Sequence, residues 1–538
     1  MTEDEKEFRN TRGWTRPASA ALSGALAGFA ALATAELVSA AVRPQSGPVV
    51  VVGGAAIDRT PAAVKDWAIR NFGTDDKLFL QLGVLFVLAV FAIALGMAAL
   101  RFRRTAAVGV LLFGAVGAVA AISQPDSNGL SDALPSIAGA IVGAVLLLFL
   151  AGRLALRGPA PDATAAPESG PPPGQGWDRR GFVVAATAAA AASTGAGVLG
   201  RALNGSSGRD AVASRDEAVL PAPVSAAPAL PRGVRLRIPG ISSFTTPNDD
   251  FYRVDTALVV PKVNARTWRL SIHGKGVRRP LSLSYDDLLR RELIERDITL
   301  TCVSNEVGGP YVGNARWIGV RLSELLSECR VLPPSRGGPA DQLVARSVDG
   351  MTIGSPVEDV MDGRDALLAL GMNGEPLPFA HGFPVRMVVP GLYGYVSACK
   401  WIEDIELTTF DDYDPYWVKR DWARRAPIKT QSRIDTPKPF ARPQAGPVMV
   451  AGVAWAQHRG IDKVEVRVDD GPWQEARLAA EDTRDTWRQW SLAWQAPKGG
   501  HTLTVRATDR TGRVQTEKRA RTIPDGASGW HSVVVTVD

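Results

Sequence analysis

Residues 298–320 read ITLTCVSNEVGGPYVGNARWIGV, and this stretch decides how the second half of the chain is interpreted. It begins with an apolar, β-branched run that is typical of a buried strand and that ends at Cys302. A polar, glycine-rich loop follows directly at residues 304–309. Such a loop can present one thiolate to a ligand, although a cysteine at this position is more often a small core residue. The rest of the sequence has to decide between these two interpretations.

Composition divides the chain into two unlike parts. With 538 residues it is long enough for three or four domains, and most of its 14 tryptophans follow residue 203. The formal net charge of +6 is small for this length and is spread out, so we expect no nucleic-acid partner. The three cysteines, Cys302, Cys329 and Cys399, form no CxxC pair. A disulfide framework, a zinc knuckle and an attached c-type haem are therefore unsupported.

The first 203 residues predict an N-terminal α-helical membrane module with about five spans. Five apolar stretches are long enough, or nearly long enough, to cross a bilayer: 18–42, 78–100, 106–122, 134–154 and 181–203. Basic residues precede the first and fifth stretches and separate the second from the third, whereas 123–133 has none. By the positive-inside rule, the N-terminus lies inside and everything after residue 203 lies outside. We therefore expect a multi-pass protein of the cytoplasmic membrane, with its catalytic domain on the extracytoplasmic side.

Within this module we expect a cytoplasmic tail at 1–17, four spans at 18–157, a Pro/Gly-rich linker at 158–177 and a fifth span at 178–203. All five histidines lie beyond residue 203, so no span offers the usual imidazole ligand of a b-type haem. Asp178-Arg179-Arg180-Gly181-Phe182-Val183 resembles a twin-arginine export signal, a route that carries folded proteins. The other interpretation of these arginines is ordinary positive residues before a helix.

Beyond the spans, the composition and hydropathy pattern of the sequence change twice. Residues 204–237 are rich in Ala, Pro and Ser and predict a tether, and 238–430 contain strand-like runs with turn signals. Residues 431–538 alternate apolar and polar residues in short runs, with Asp470-Gly471 and Thr511-Gly512 as hairpin turns. This last pattern predicts an all-β immunoglobulin-like sandwich.

Six segments in 246–407 together carry a family resemblance. They are TPNDDFYRVD (246–255), TLTCVSNEVGG (299–309), ARWIGVRL (315–322), MNGEPLP (372–378), HGFPVRMVVPG (381–391) and CKWIEDIEL (399–407). In this order they resemble the molybdopterin-binding domain of the sulfite oxidase family, and the resemblance continues to the C-terminus. It implies an α+β molybdopterin-binding domain of sulfite oxidase type at 238–430 and a dimerisation-type domain at 431–538. It also implies a molybdenum–molybdopterin cofactor.

The resemblance assigns seven residues to the site. Cys302 matches the protein ligand of the metal, where a soft thiolate suits molybdenum. The residues that match the anchor of the pterin phosphate are His381, Arg386 and Lys400. Tyr252 and Arg253 match the segment that meets the pterin near the metal, and Arg316 lies close behind it. We expect Cys302 and Arg253 to be the catalytic residues.

Three departures from the family concern the substrate. Sulfite oxidases carry an arginine five residues after the cysteine, where this chain has Val307. A family tyrosine is replaced by Ile353, and a family histidine is absent, with Asp255 nearby instead. A desolvated sulfite dianion needs the cation and donor that are lost here, so we expect a substrate other than sulfite.

The sequence therefore predicts an oxygen-atom-transferring oxidoreductase that acts on a small molecule at the membrane. Electrons pass through an unidentified redox partner, because the chain shows no haem or Fe–S ligand set. A homodimer is expected from the resemblance alone. The alternatives are a sulfoxide-type reductase of the same family and a membrane-anchored binding protein whose cofactor site has decayed. A transporter with a periplasmic sensor is the least favoured, because the spans contain few polar groups.

Overall fold

The computed structural model describes residues 3–60, 64, 76–124, 127, 129–154, 179–257 and 259–538. The chain divides into two compact units. The first comprises Met1–Arg209 with Ala257–Val259, and the second comprises Asp210–Thr256 with Val260–Asp538. The linker predicted at 158–177 lies outside the described residues.

The first unit is built from long helices. They are α1 (Glu3–Val42), α2 (Pro48–Arg59), α3 (Asp76–Ala98), α4 (Arg103–Ile122), α5 (Leu134–Leu154) and α6 (Arg179–Asp216), the last of which runs on into the second unit. Five segments of the described chain are long and apolar enough to cross a membrane: Arg16–Val42, Phe79–Ala98, Arg103–Ile122, Gly129–Leu154 and Arg180–Asp216. The prediction of five apolar helices of this length is thus confirmed.

The helices differ from the prediction in two bounds and in one additional helix. Helix α1 begins at Glu3, inside the predicted tail, and α2 is an additional short apolar helix in a segment expected to be a loop. Helix α6 continues to Asp216, past the predicted end at 203 and into the predicted tether. Its extension, NGSSGRDAVASRD, contains no proline, so no backbone N–H is lost, and the helix continues although Gly205 and Gly208 are poor helix formers.

Small residues let the helices of the first unit approach closely. A Cβ added to Gly24 of α1 would overlap the backbone of Ala92 in α3, and one added to Gly139 of α5 would overlap the backbone of Ala31 in α1. Large apolar side chains instead cover the outside: Phe86 is 70% exposed and Val119 is 62% exposed. This arrangement of small residues inside and large apolar residues outside is typical of helices surrounded by lipid.

The second unit begins with an α+β region that contains two five-stranded sheets. One has the order β2-β1-β10-β5-β6, and the other has the order β3-β4-β7-β8 with β9 paired to β7. The elements are β1 (Arg269–Gly274), β2 (Leu281–Ser284), α7 (Tyr285–Leu289), β3 (Leu293–Thr301), β4 (Val312–Arg321), α8 (Leu322–Glu328), β5 (Gln342–Ser347), β6 (Thr352–Pro356), α9 (Val357–Met361), β7 (Leu367–Met372), β8 (Glu375–Pro376), β9 (Arg386–Val388), α10 (Gly394–Ser397) and β10 (Ile402–Thr408). The predicted α+β class is confirmed.

Residues 431–538 form two four-stranded sheets that share one core. Their orders are β11-β12-β16-β15 and β14-β13-β17-β18. The strands are β11 (Gln431–Thr436), β12 (Gly446–Trp455), β13 (Ile461–Val468), β14 (Gln474–Glu475), β15 (Arg477–Leu478), β16 (Arg488–Ala496), β17 (Gly499–Asp509) and β18 (His531–Val537). Val450 and Trp490 of the first sheet are buried with Val464 and Val505 of the second. The predicted two-sheet β domain is confirmed.

One hairpin positions the stretch quoted at the outset. Strands β3 and β4 pair antiparallel from Leu293 opposite Val320 to Thr301 opposite Val312. Residues 302–311 are therefore the loop of this hairpin, which we call the cysteine loop. Strand β7 pairs with β4 on its other side, and β9 pairs with β7. This order brings the start of β9 into the same sheet as the cysteine loop.

Candidate active site

Cys302 occupies the position that the sequence predicts, directly after the last residue of β3. Its backbone N–H donates to the carbonyl of Tyr311 at 2.9 Å, and its carbonyl accepts from the N–H of Asn305 at 3.0 Å. The side-chain Oδ1 of Asn305 in turn accepts from the N–H of Tyr311 at 2.8 Å. These bonds close the cysteine loop and hold Cys302, which is 8% exposed, in one place.

The thiol of Cys302 is electrostatically coupled to its neighbours. Burial raises the pKa of Cys302, while hydrogen bonds from Ser304 and the charge of Lys400 act in the opposite direction. A coordinated metal would take the place of the thiol proton, since a metal deprotonates a thiol that binds it. The site therefore offers one soft ligand beside a positive charge.

Arg386, the first residue of β9, is a buried cation with an unused donor. It is 5% exposed, its guanidinium carbon lies 4.9 Å from the ring centroid of Trp317, and its Nη1 donates to the carbonyl of His381 at 3.2 Å. Its Nε has no hydrogen-bond partner within the described part of the chain. Burial lowers the pKa of Arg386 to about 10, so the side chain stays charged at neutral pH. A buried charge with a free donor fits an anionic ligand.

His381 is neutral and ties two motifs together. Its Nε2 lies 2.9 Å from the backbone oxygen of Asn248 in the segment 246–255, and Phe251 packs edge-on against the imidazole with ring centroids 5.6 Å apart. Burial lowers the pKa of His381 to about 4, helped by the charges of Arg386 and Lys400. An imidazole that is neutral at pH 7 donates from Nε2 to the Asn248 oxygen, so this residue orients the segment rather than adding charge.

Lys400 and Arg253 share one carboxylate oxygen. The Nζ of Lys400 lies 2.7 Å from Oδ2 of Asp255, and the Nε of Arg253 lies 3.0 Å from the same atom. The side chains of Lys400 and Asp255 are only 10% and 4% exposed. Burial lowers the pKa of Lys400 to about 8, although Asp255 acts in the opposite direction. Asp255 thereby holds two of the predicted cofactor-binding cations side by side.

Tyr252 connects the thiol with the buried arginine. Its ring stacks on Phe251 with centroids 5.1 Å apart and meets Tyr311 of the cysteine loop at 6.3 Å. Burial raises the pKa of Tyr252, Cys302 raises it further, and Arg386 lowers it. The structure therefore brings together six of the seven predicted residues: Cys302, Tyr252, Arg253, His381, Arg386 and Lys400.

Arg316 is the exception. Its guanidinium donates to both carboxylate oxygens of Asp297, at 2.6 and 3.1 Å, across the β3–β4 pair. Successive side chains of a strand point to opposite faces, and Trp317 is the residue that faces Arg386. The position of Arg316 thus gives no support to the predicted contact with the cofactor.

Sequence reasoning missed several residues around the site. Asp349 lies in the turn between β5 and β6, where burial raises its pKa and it interacts electrostatically with Asp255 and Lys400. The side chain of Asn373 donates to Oδ1 of Asn248 at 2.8 Å and so joins the MNGEPLP and TPNDDFYRVD motifs. The Asp349-Gly350 pair, a dipeptide typical of turns, and an asparagine in each of the two motifs were the available signals.

The three departures from the family lie in different surroundings. Val307 is a partly exposed residue of the cysteine loop, whereas Ile353 is 3% exposed and belongs to the core beneath β6. Asp255 is the residue that binds Lys400 and Arg253. The loss of the family arginine therefore affects the loop itself, and Ile353 contributes apolar packing.

The described residues fit the cofactor that the resemblance implies. Within the described ranges there is no group of three or more His, Cys, Asp or Glu that could hold a metal by itself. Molybdopterin supplies sulfur ligands of its own and carries a phosphate. One thiol, Cys302, near the buried cations Arg386 and Lys400 is the complement that such a group needs.

Comparisons with known proteins agree with this geometry. Residues 257–417 match the model of the oxidoreductase molybdopterin binding domain, and residues 426–538 match the model of the Mo-co oxidoreductase dimerisation domain. Mitochondrial sulfite oxidase of Mus musculus is 32% identical over 342 residues, which are 55% of this chain and 62% of that protein. Sulfite oxidase of Gallus gallus is 30% identical over 323 residues, which are 52% of this chain and 69% of that protein.

A solved structure is also similar. The sulfane dehydrogenase SoxCD of Paracoccus pantotrophus is 25% identical, covers 55% of this chain and 84% of its own, and superposes with a TM-score of 0.48. The chain spans 62% of the length of the mouse relative, and its first 200 residues lie outside both matched domain models. On the domain matches and the Gallus gallus relative, the chain belongs to the sulfite oxidase family of molybdopterin-dependent oxidoreductases.

Proposed function

We propose that this chain uses a molybdenum–molybdopterin cofactor to transfer an oxygen atom to or from a small molecule. The observation that carries the proposal is the buried thiol of Cys302, fixed in a hydrogen-bonded loop and electrostatically coupled to Tyr252 and Lys400. The cofactor, when bound, supplies the two-electron chemistry and the oxygen. The chain supplies ligation, orientation and a site from which water is largely removed.

Each side chain of the site has a role that follows from its surroundings. Cys302 is the protein ligand of the metal, and the donors of Arg386 and Lys400 bind the phosphate of the pterin. His381 fixes the segment 246–255, so that Tyr252 and Arg253 face the reactive end of the cofactor. Arg253 is 35% exposed and is the predicted catalytic residue that reaches toward an entering substrate.

We propose a substrate that carries no double negative charge, and therefore not sulfite. The family resemblance implies an arginine five residues after the cysteine, and this chain has Val307 there, in the partly exposed part of the cysteine loop. Arg433, the cation that contacts this loop, is bound to the carbonyl of Gly309 and to Asp435, so it is already engaged and is not a free counter-charge. Desolvating a dianion without such a partner is costly.

The second candidate is a reductase that acts on sulfoxide-type substrates. The same loss of an anion-binding arginine favours it, because a sulfoxide is neutral and needs a donor rather than a full counter-charge. A binding protein with a decayed cofactor site is less well supported. In a decayed site, selection no longer keeps a buried cation such as Arg386, whose Nε donor has no partner and whose burial costs free energy.

For location, we propose that the helices of the first unit hold the protein in the cytoplasmic membrane, with residues after 216 on the outer face. The exposed apolar side chains of α3 and α4, and the arginine pair at the start of α6, support this topology. Proteolysis tests it. Trypsin added to spheroplasts should cut the part after residue 216, and trypsin added to inverted vesicles should leave that part intact.

For assembly, we propose a homodimer and an external redox partner. The match of residues 426–538 to a dimerisation domain supports the first. The absence of histidine before residue 203 supports the second, because it removes the usual haem ligands from the spans. Light scattering on the detergent-solubilised protein, corrected for bound detergent, should give twice the chain mass of 57.2 kDa.

A substrate assay tests the central proposal. The purified chain, loaded in a host that makes molybdopterin, is given dimethyl sulfoxide or methionine sulfoxide with reduced benzyl viologen, and sulfite with ferricyanide. We expect turnover of a sulfoxide or of another neutral substrate that is lost in Cys302→Ser, and little turnover of sulfite. Sulfite oxidation with a micromolar KM would contradict the substrate assignment, and equal rates in Cys302→Ser would contradict the site.

A further inference from the structure

The C-terminal β domain contacts the cysteine loop directly. The Nη1 of Arg433, in β11, donates to the carbonyl of Gly309 at 2.7 Å. The same guanidinium donates from Nε to Oδ1 of Asp435 at 2.7 Å and from Nη2 to the hydroxyl of Ser242 at 2.9 Å. Its side chain is 11% exposed. Arg433 is therefore a fixed, nearly buried donor that reaches from one domain into the active-site loop of the other.

A second contact lies one residue earlier in the loop. Gly308 has φ +80°, and a Cβ added to it would overlap the imidazole of His531, the first residue of β18. The Nδ1 of His531 accepts from the N–H of Ile434 at 3.0 Å, so the orientation of the ring is fixed by β11. Only glycine fits this left-handed position against the ring. One contact thus reaches Gly308 and the other reaches Gly309, and both come from the C-terminal β domain.

The strand before the loop is held by the same domain. The Nε2 of Gln457 donates to the hydroxyl of Thr301 at 2.9 Å and to the carbonyl of Thr299 at 3.0 Å. The backbone N–H of Trp487 donates to the hydroxyl of Thr299 at 2.7 Å. The cysteine loop thus has its entry fixed through β3 and its far end fixed through Arg433 and His531.

From these contacts we infer that Arg433 and His531 are positioning residues that set the shape of the cysteine loop, and with it the substrate opening next to Cys302. We call this pair the domain clamp. None of the contacts with the C-terminal domain described above involves residues 304–307, the segment of the cysteine loop that includes Val307. A change in the C-terminal domain should therefore alter how the site selects a substrate, without touching the metal ligand or the phosphate anchor.

Hydrogen exchange of the full, cofactor-loaded chain in detergent tests the clamp without any substrate. In Arg433→Gln, the amides of 303–311 should exchange at least about tenfold faster than in the wild type, because the loop loses the charged donor that binds the carbonyl of Gly309. Peptides from β3 and from the rest of the second unit should not change. Arg442→Gln is the matched control, since Arg442 lies in the same domain and pairs with Asp538 away from the loop.

An exchange rate of 303–311 that stays at the wild-type value in Arg433→Gln would overturn the inference. A uniform rise in exchange rate throughout the second unit would also overturn it, because such a rise indicates general destabilisation.

A second pair of variants tests the contact between Gly308 and the His531 ring. Gly308→Ala should also speed exchange of the loop, and adding His531→Ala should recover part of the loss by removing the overlap. No recovery in the double variant would show that the imidazole does not set the loop.

The effect on selectivity rests on the proposed function and has its own readout. With reduced benzyl viologen as donor, Arg433→Gln should raise the KM for dimethyl sulfoxide at least about threefold and leave kcat within about twofold, at unchanged molybdenum content. Arg433→Lys, which keeps one donor, should fall between. A proportional fall in kcat with unchanged KM would contradict a positioning role. If the wild type reduces no sulfoxide, the second candidate function fails, and the exchange experiment still decides the clamp.

Discussion

Arg316 and Trp317 are neighbours in β4, yet their side chains serve opposite faces of the sheet. The Arg316 guanidinium is bound to Asp297 at 2.6 Å, whereas the Trp317 ring lies 4.9 Å from the guanidinium carbon of Arg386. Successive side chains of a strand point to opposite faces of the sheet, so the two side chains are separated. One basic residue therefore stabilises the β3–β4 pair, and the other, Arg386, belongs to the site.

This separation predicts different phenotypes for two arginine variants. Arg316→Gln should lower the free energy of unfolding by about 3 kcal/mol, because it leaves the buried Asp297 without its counter-charge, and should leave the molybdopterin content unchanged. Arg386→Gln should lower the content about tenfold or more by removing a charged donor. Pterin fluorescence after release measures the content. Arg386→Lys is the control for loss of fold, and it should retain an intermediate molybdopterin content. Equal losses of molybdopterin in Arg316→Gln and Arg386→Gln would contradict the assignment.

Asp255 should be more important for stability than an exposed carboxylate. It holds Lys400 and Arg253 through one oxygen at 4% side-chain exposure, so Asp255→Asn leaves a nearly buried ammonium without its charge partner. We expect a loss of about 3–5 kcal/mol in denaturant unfolding of the second unit. Asp404→Asn is the control, because Asp404 pairs at 2.9 Å with His273, whose side chain is 45% exposed, and should cost less than about 1 kcal/mol. Equal costs would show that the Asp255 pair is solvated.

Two histidines, the buried His381 and the half-buried His531, should make the second unit sensitive to acid. Burial lowers the pKa of His381 and of His531 to about 4, below the ordinary value of 6.5. Between these values the unfolded chain binds more protons than the folded one, so stability rises with pH. It should therefore fall as the pH drops from about 6.5 to about 4, by up to about 1.4 kcal/mol per pH unit for each histidine.

His531→Asn isolates one of these contributions, because its side-chain oxygen can still accept from the N–H of Ile434. The slope of unfolding free energy against pH should become smaller than in the wild type. Asp482 acts in the opposite direction, since burial raises its pKa to about 6, so the difference between variant and wild type is the quantity to measure. Parallel curves for the two proteins would contradict a neutral His531 in the folded protein.

Val307→Arg should restore affinity for an anion. The residue is partly exposed in the cysteine loop, at the position where the resemblance to sulfite oxidases implies an arginine, so a new guanidinium can reach solvent and a bound oxyanion. We expect sulfite oxidation to rise at least about tenfold in kcat/KM, and turnover of a neutral sulfoxide to fall. Val307→Met controls for size. No gain over Val307→Met would show that the missing charge is not what excludes sulfite.

The sequence was sufficient for the features that depend on local pattern. The five long apolar helices and the strand that ends at Cys302 follow from hydropathy and β-propensity. The Asn373-Gly374 turn was predicted too, and these residues have φ of 53° and 87°. Alternation in Ala315-Arg316-Trp317 could also have placed Arg316 on the face away from the site, had the buried face of β4 been fixed first.

Features that depend on long-range contacts could not be predicted. Nothing local in Asp255 indicates that its carboxylate meets Lys400, which is 145 residues away. The contact between Arg433 and Gly309 spans 124 residues and joins two domains. Helix α6 continues to Asp216 past its predicted end, although hydropathy falls there and Gly205 and Gly208 have low helix propensity, so no local signal predicts the continuation. Such cases need the packed structure.

The measurement that tests the central claim most directly is molybdenum and pterin content of the full chain, purified in detergent from a host that makes molybdopterin. Cys302→Ser is compared with Cys329→Ser, which changes a buried cysteine directly after the last residue of α8. We predict about one molybdenum per chain in the wild type and in Cys329→Ser, with an electronic absorption band that only Cys302→Ser loses. A well-folded wild-type chain that contains neither molybdenum nor pterin would contradict the account.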